Sequence, residues 1–590
     1  MNETDRGQTP APPAPMPAPW TWRTSALALL WSVCVFTAYM ANGREIFSGD
    51  TVPAKYLTFG LVRGEGFYLD RYQREAFKLW PNPTMPYYLR MVDGHYVSQY
   101  PVGPAILALP FSLPQILYLD WTQPGWDTTD SPWFDIITKR STAALTTTAG
   151  LVLLVVLLRL GLKREAWLAA TAAALGSNLW CTASQSLWQH GPAALMLTLV
   201  VLLLLPDSPS RLRFFLAGLA AALLVCARPI SLPFAVMTAL WVTFRYPRRL
   251  LWFLPPAALV GCALIGYNRA YLGLATGRYS EFEAALFATP WQHGLLGTLA
   301  SPSRGLFVFS SWTVIAFLYL PFAFFQLRLR TLLPWLLATL VAHGLLISTF
   351  TNWWAGWCFG PRYWTEVIPL LAIPLGLALQ WSRARFRPLY PIALVLIAVS
   401  VGVQLLGALA YPSGWDEFPQ SVDVAHERLW DWSDSELSRC IKKSKAYQTL
   451  LGPVEFPPSW GPPPARAPVG RDEPPAFPST TQGFLERVGC EQIDGWAWEE
   501  QQPETPIEVE IYDGETLLVT VTANRLRSDL VEAQRGNGRH AFLIKTPPSL
   551  KDGATHQIHA RIAEGGIELE RSPRALVCPD ARSLSPQPAN

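Results

Sequence analysis

Four short strings set a cation at the start of an apolar run. They are Gln189-His190-Gly191-Pro192, Arg228-Pro229, Ser301-Pro302-Ser303-Arg304-Gly305 and Gly360-Pro361-Arg362-Tyr363. Proline is common at helix starts, which accounts for the prolines but not for the His and Arg beside them. A helix N-terminus offers free backbone N–H groups and the positive end of the dipole, so it favours anions. If these four ends converge, His190, Arg228, Arg304 and Arg362 form a positive pocket that fits a phosphate, with the planar guanidinium fork matching its oxygens. The complementary acid is Asp50, in Ser48-Gly49-Asp50 a few residues after the first apolar run. A carboxylate there can take a proton from an acceptor hydroxyl; a solvated acid or a helix cap is the plainer reading. Asp93-Gly94-His95-Tyr96 supplies two further polar contacts for a substrate, Asp93 and His95, although Asp-Gly is also an ordinary turn pair. Aromatic residues crowd the same places. Trp353-Trp354-Ala355-Gly356-Trp357 precedes Arg362, and Trp188 stands beside His190. Trp354, Trp357 and Tyr363 offer faces to a sugar ring, or belong to an interfacial aromatic belt.

The elements that must position these residues are apolar helices. Half of the 590 residues are hydrophobic and only 15% are charged, against about 25% in a typical soluble chain. A helix needs about 20 apolar residues to cross a bilayer. The runs that qualify, some of them short, are Thr24–Ala41, Ser141–Leu158, Ala166–Ser186, Gly191–Leu205, Phe214–Ala227, Ile230–Phe244, Leu251–Tyr267, Leu306–Phe325, Leu332–Phe350, Val367–Trp381 and Tyr390–Ala410. The expected fold is therefore a polytopic α-helical membrane protein of about 11 transmembrane helices, followed by a small all-β domain. Short basic loops hold Lys163 and Arg164, Arg211 and Arg213, Arg245, Arg248 and Arg249, Arg328 and Arg330, and Arg383, Arg385 and Arg387. Basic short loops mark the cytoplasmic side. That puts the N-terminus inside, and puts the long loop 42–139, the loops 268–305 and 351–364, and everything after residue 411 on the other face.

The flanking regions are polar. Residues 1–23 read as a disordered tail, 24–411 as the transmembrane domain, 412–451 as a membrane-proximal helical segment and 452–480 as a Pro-rich linker. Residues 481–580 read as a β-sandwich and 581–590 as a second tail. In the β-domain, Pro506–Tyr512 and Thr516–Thr522 alternate apolar with polar around Asp513-Gly514, a hairpin signal. Ala541–Lys545 and His556–Ile562 continue the pattern. Cys490 and Cys578 bracket this domain; if it is exported, a disulfide between them is expected, leaving Cys440 free. The other five cysteines lie in or beside apolar runs, without metal-ligand spacing, and read as packing residues.

The near-neutral balance, 47 basic against 44 acidic residues, gives no reason to expect nucleic-acid binding. There is no Walker motif, dinucleotide fingerprint, HExxH or nucleophile elbow. The strings SGDTVPAKYL, DGHYVSQYPVGPAIL, SPSRGLFVFS and WWAGWCFGPRYW resemble those of bacterial membrane proteins of the GT-C glycosyltransferase superfamily. The branch resembled uses polyprenyl-phosphate sugars and includes protein O-mannosyltransferases and lipid A aminoarabinose transferases. The likeness covers roughly Thr24–Tyr411, and the tail near GWAWEE and ANRLRSDL is similar to small β-domains appended to carbohydrate-active proteins. That family often carries two adjacent acids in the first loop; here Asp50 stands beside Gly49. The resemblance implies transfer of a sugar from a polyprenyl-phosphate carrier to a glycan, lipid or protein acceptor outside the cytoplasm, at a bacterial inner membrane with the β-domain periplasmic. Asp50 would be the general base. Arg304 and Arg362, supported by Arg228 and His190, would hold the phosphate. No cofactor is implied, and a divalent metal is compatible without any ligand cluster requiring it. The competing readings are a transporter or flippase for a lipid-linked glycan, which needs charges within the spans or inverted repeats, and a non-catalytic assembly protein that works through its β-domain.

Overall fold

A computed structural model describes residues 21–78, 85–128, 131–206, 208–277, 287–326, 331–451, 481–499, 502–514, 516–532, 535–563 and 567–578. Residues 1–20 of the N-terminal tail, the C-terminal tail, the Pro-rich linker and the loop arginines Arg328 and Arg330 lie outside these residues, while Trp22 and Arg23, expected in the tail, begin the first helix. The chain divides into two compact units, Met1–Ala465 and Arg466–Asn590.

The first unit is helical. Five helices are long and apolar enough to cross a membrane: Trp22–Met40, Trp133–Arg159, Pro247–Leu272, Arg362–Arg385 and Leu389–Ala410. His190–Leu204, Pro229–Arg245, Thr313–Gln326 and Leu332–Ser348 are shorter apolar helices. Together they mark a multi-pass membrane protein. The surface agrees. Leu29 and Leu30 on the first helix, and Leu251 and Leu259 on Pro247–Leu272, are more than half exposed. So much exposed apolar surface is stable only against lipid.

All eleven apolar runs are helical, with two changes in detail. The run Ala166–Ser186 is a helix over Arg164–Leu175 and then a π-turn over Leu179–Ala183. The run Leu306–Phe325 is split into Leu306–Phe309 and Thr313–Gln326. The long loop 42–139 contains more structure than its length suggested: helices Val52–Arg63 and Gly103–Thr122, and a hairpin of strands Leu89–Val92 and His95–Ser98.

Helix Arg362–Arg385 is the centre of the unit. Of its apolar window 78% is buried, against 17% for Trp22–Met40 and 11% for Pro247–Leu272. Its face of Ile368, Leu371, Leu375 and Leu379 joins the main core with Leu153, Leu157, Ala193 and Leu336 from three other helices. A residue at the start of this helix is therefore rigidly held, which matters for Arg362. After the last long helix the chain packs Trp415, Val422 and Leu429 against Trp353 and Trp354.

The second unit is a β-sandwich. One sheet runs Arg574–Val577, Thr555–Ile562, Ile507–Asp513, Thr516–Ala523, and the other Thr481–Val488, Gln492–Glu499, Arg539–Lys545, Arg525–Leu526. Alternation sends Val509 and Ile511 inward to meet Leu485, Ile493 and Phe542 of the opposite sheet. The anticipated hairpin at Asp513-Gly514 forms, with Gly514 at φ +57°. Cys490 and Cys578 are disulfide-bonded across 88 residues, and Cys440 is a buried free thiol.

Candidate functional site

Asp50 lies in a single 3₁₀ turn, Gly49–Thr51, that leads into the helix Val52–Arg63. Ser48 caps the turn by accepting from the Asp50 amide. The carboxylate points away from that cap. Its Oδ1 accepts from the hydroxyls of Tyr100 at 2.7 Å and Tyr87 at 2.9 Å, and its Oδ2 accepts from Arg362 Nη1 at 2.6 Å. The two tyrosines flank the open end of the small hairpin. Gly49 is required by this approach, because a Cβ there would lie 2.5 Å from the Tyr87 hydroxyl oxygen and 2.7 Å from the Tyr88 ring. Burial opposes ionisation of Asp50, but the Arg362 charge and the hydrogen bonds from Tyr100, Arg362 and Tyr87 outweigh it. The carboxyl is held below the usual carboxylate range. It remains reachable, with its side chain 20% exposed.

Arg362 comes from 312 positions later in the chain. Gly360, at φ +69°, turns the backbone into Pro361, and Arg362 opens the 3₁₀ turn that continues as the central helix. Its guanidinium carbon lies 4.8 Å from the Trp188 ring centre and 5.9 Å from that of Tyr363. Arg228 approaches the Tyr363 ring as well, at 5.8 Å. Two cations therefore flank one phenol ring.

One turn beyond Arg362, fully buried Glu366 collects the remaining polar groups. It accepts from Arg228 Nε at 2.5 Å, pairs with His190 Nδ1 at 2.7 Å, and lies 3.9 Å from His343 Nε2. Buried carboxylates persist only when paired in this way. Three of the four cationic helix starts singled out in the sequence thus converge: His190, Arg228 and Arg362.

Arg304 is a correction. It is 1% exposed, and all its nitrogens are engaged. Nε donates to the Trp354 carbonyl, Nη1 to the Ser303 carbonyl and Glu436, and Nη2 to the Gly356 carbonyl and Asp416. With two carboxylates and three carbonyls on one guanidinium, no donor is left for a phosphate. Asp93 and His95 are also corrected. Asp93 is a turn residue at φ +51°, and Val92↔His95 is the pair that closes the hairpin. The hairpin's length, roughly 10 Å for a four-residue strand, separates them from Tyr87 and Tyr100. His95 instead pairs with Asp70 at 2.9 Å. Trp354 is buried and donates its indole N–H to Asp423, so it supports the loop rather than a ligand. Trp357 is exposed.

Five contributors escaped the sequence reading. Tyr87 and Tyr100 carry no signal of their own. Trp188 was noted only as a neighbour of His190. Glu366 and His343 had one: an ionisable residue in or at the edge of an apolar run is costly and has to be paired.

A second polar group adjoins this one through the segment Gln185–Trp188. Ser186 donates to Glu45 at 2.5 Å, Glu45 accepts from Lys55 at 2.7 Å, and Lys55 also bonds Asp135. Among the described residues no three His, Cys, Asp or Glu side chains are grouped to hold a metal ion. No protein-family model matches this chain, and no curated protein matches it.

Proposed function

We propose that the protein is a membrane glycosyltransferase that moves a sugar from a polyprenyl-phosphate carrier to a hydroxyl acceptor on the non-cytoplasmic face. The observation that carries this reading is the meeting of Asp50 with Arg362, a reachable carboxylate on a largely buried guanidinium, within hydrogen-bond reach of two tyrosines. The arrangement holds one group that can accept a proton next to one that can stabilise a leaving phosphate.

The charges balance in such a reaction. The acceptor oxygen forms a bond to the anomeric carbon, and the bond from that carbon to the phosphate oxygen breaks. The electron pair leaves with the phosphate, which gains one negative charge. The acceptor proton passes to Asp50, which loses one. Arg362 sits between the two and compensates either. At rest it lowers the basicity of Asp50; drawn toward the phosphate, it frees the carboxylate to accept the proton. No covalent enzyme intermediate is needed.

The topology consistent with this reading has eleven spans, with the N-terminus cytoplasmic and residues after 411 periplasmic at a bacterial inner membrane. The site then faces the periplasm beside the β-domain's compartment. A second reading, a carrier for a lipid-linked glycan, is favoured by buried Glu366, His190 and His343 within apolar helices. Asp50→Asn and Arg362→Ala discriminate. Each is expected to abolish glycan modification while the protein inserts normally, and to leave the carrier-linked sugar accumulated on the periplasmic face. An unchanged glycan profile in both variants sinks the enzyme; accumulation on the cytoplasmic face favours the carrier.

A further inference from the structure

Several buried or half-buried indoles find an acceptor, while Trp180, Trp188 and Trp364 have a buried Nε1 without a partner among the described residues. Trp31 donates to Thr171, Trp241 to Thr331, Trp312 to the Gly176 carbonyl and Trp415 to the Asp434 carbonyl. Trp188 does not. It is 5% exposed, and its Nε1 is buried without a partner among the described residues. The neighbouring Arg362 shows the same deficit: Nη1 is taken by Asp50, while Nε is buried and unpartnered. The two side chains are in contact, with the guanidinium carbon 4.8 Å from the indole ring. Two orphaned donors touching each other are an unusual expense, since leaving a buried donor unmade costs more than a made bond returns. Both deficits are donor deficits, and both are met by an acceptor of high charge.

We propose that the indole N–H of Trp188 and the Nε–H of Arg362 together bind an oxyanion of the carrier's phosphate. This rests on the glycosyl-transfer reading and adds to it a phosphate ligand that is not a cation. The surroundings suit an anion. The helix His190–Leu204 begins two residues after Trp188, and its N-cap residue Gln189 contributes no side-chain cap. Its first amides are left available to a negative group. The nearby cations Arg362 and Arg228 are paired with Asp50 and Glu366. Asp50 uses only Nη1 of Arg362, so a phosphate on Nε takes a different donor of the same guanidinium. Base and leaving group thus share one cation through different nitrogens. The indole adds a hydrogen bond without adding charge, so it does not compete with Arg362 for Asp50.

The plainer alternative is a buried water serving both donors. The test separates the two because removing a water-bonded N–H costs stability in the absence of ligand, whereas removing an orphaned one does not. The full-length protein in detergent is melted with undecaprenyl monophosphate, with undecaprenol and with inorganic phosphate. Trp188→Phe keeps the ring beneath Arg362 and deletes the N–H. The expected result is an unliganded midpoint equal to wild type and an affinity for undecaprenyl monophosphate weakened roughly tenfold. Trp180→Phe, which removes another unpartnered buried indole N–H, should bind as wild type. A Trp188→Phe protein that binds the lipid phosphate as tightly as wild type, or that melts lower without ligand, overturns the proposal. Inorganic phosphate binding as tightly as the lipid phosphate overturns the carrier as its source. If Asp50→Asn abolishes glycan modification while Trp188→Phe keeps full affinity, only the role of Trp188 falls. If wild type ignores undecaprenyl monophosphate and Asp50→Asn leaves the glycan unchanged, the transferase reading falls with it.

Discussion

Arg362 and Arg304 start from the same sequence pattern, a Pro and an Arg just ahead of an apolar run, and end in opposite states. Each has carboxylates within ion-pair distance and an indole near its guanidinium, Trp188 for Arg362 and Trp415 for Arg304. Arg304 has spent every donor on the protein, and two carboxylates surround it at 1% exposure. Arg362 has one carboxylate, keeps an unpartnered Nε, and faces an acid that is one-fifth exposed. Unspent hydrogen-bonding capacity, and not the presence of an arginine, separates a place that can receive a ligand from one that ties loops together. Arg304 joins the 301–305 turn, the Trp353–Gly356 loop and the segment after the last long helix. It is a strut.

Deleting the two side chains gives the largest contrast. Arg304→Ala leaves Asp416 and Glu436 buried without a counter-charge, and breaking such a network costs about 3–5 kcal/mol. Arg362→Ala also breaks a largely buried pair, 11% and 20% exposed, but it leaves Asp50 partly in solvent and bonded to two tyrosines, so a smaller loss is expected. Melting of the purified proteins in one detergent should rank Arg304→Ala below Arg362→Ala and both below wild type, while glycan transfer is lost in Arg362→Ala. Equal destabilisation by the two would erase the distinction between strut and site.

How far this contrast was legible beforehand depends on distance along the chain. The apolar runs are contiguous, so each appears as helix, nine of them near their expected bounds and two, Ala166–Ser186 and Leu306–Phe325, interrupted. The hairpin Asp513-Gly514 and the Cys490–Cys578 bridge likewise follow from local pattern and bracketing positions. Asp50 and Arg362 could each be singled out, but their contact spans 312 residues and no local rule contains it. Arg304 was misread for the same reason. Its own neighbourhood matches that of Arg362, and the acids that occupy it stand 112 and 132 residues downstream. The tyrosines were missed because their role comes from the Gly49 turn that brings Asp50 to them, not from their type.

A smaller effect sharpens the site half of the contrast. Gly49→Ala puts a Cβ 2.5 Å from the Tyr87 hydroxyl oxygen and 2.7 Å from the Tyr88 ring, so Tyr87 must leave Asp50. The overpacking should cost about 1–3 kcal/mol. Misplacing Asp50 by about 1 Å could cost up to about a hundredfold in turnover. Transfer rate and melting midpoint measured together check this, and wild-type turnover in Gly49→Ala would show that the Tyr87 contact does not hold Asp50 in register.

The smallest effect tests the strut half, through pH. One guanidinium faces two carboxylates, with side-chain exposures of 1% for Arg304, 6% for Asp416 and 0% for Glu436. A net negative charge in such a place is too costly, so one carboxyl keeps its proton. Burial pushes both carboxyls up and Arg304 pulls them back; Glu436 is pushed further by the Asp416 charge, and its Oε1 has no hydrogen-bond partner among the described residues. Glu436 is therefore the protonated partner. A carboxyl whose folded pKa is raised stabilises the fold fully below its unfolded value, about pH 4.3, and that contribution is lost as pH rises through the folded pKa. Wild-type stability should accordingly fall as pH rises above about 4.3 toward the folded value. Glu436→Gln replaces a neutral acid with a neutral amide and keeps an oxygen for Arg304 and the Gly360 N–H. Its midpoint should match wild type at acid pH, near or below about 4.3, and decline less as pH rises, so the two curves separate progressively above that value. A Glu436→Gln protein that melts lower at every pH, with the wild-type slope, would mean that both acids are ionised around Arg304. The strut would then hold two buried anions on one cation, whereas Arg362 faces a single carboxylate.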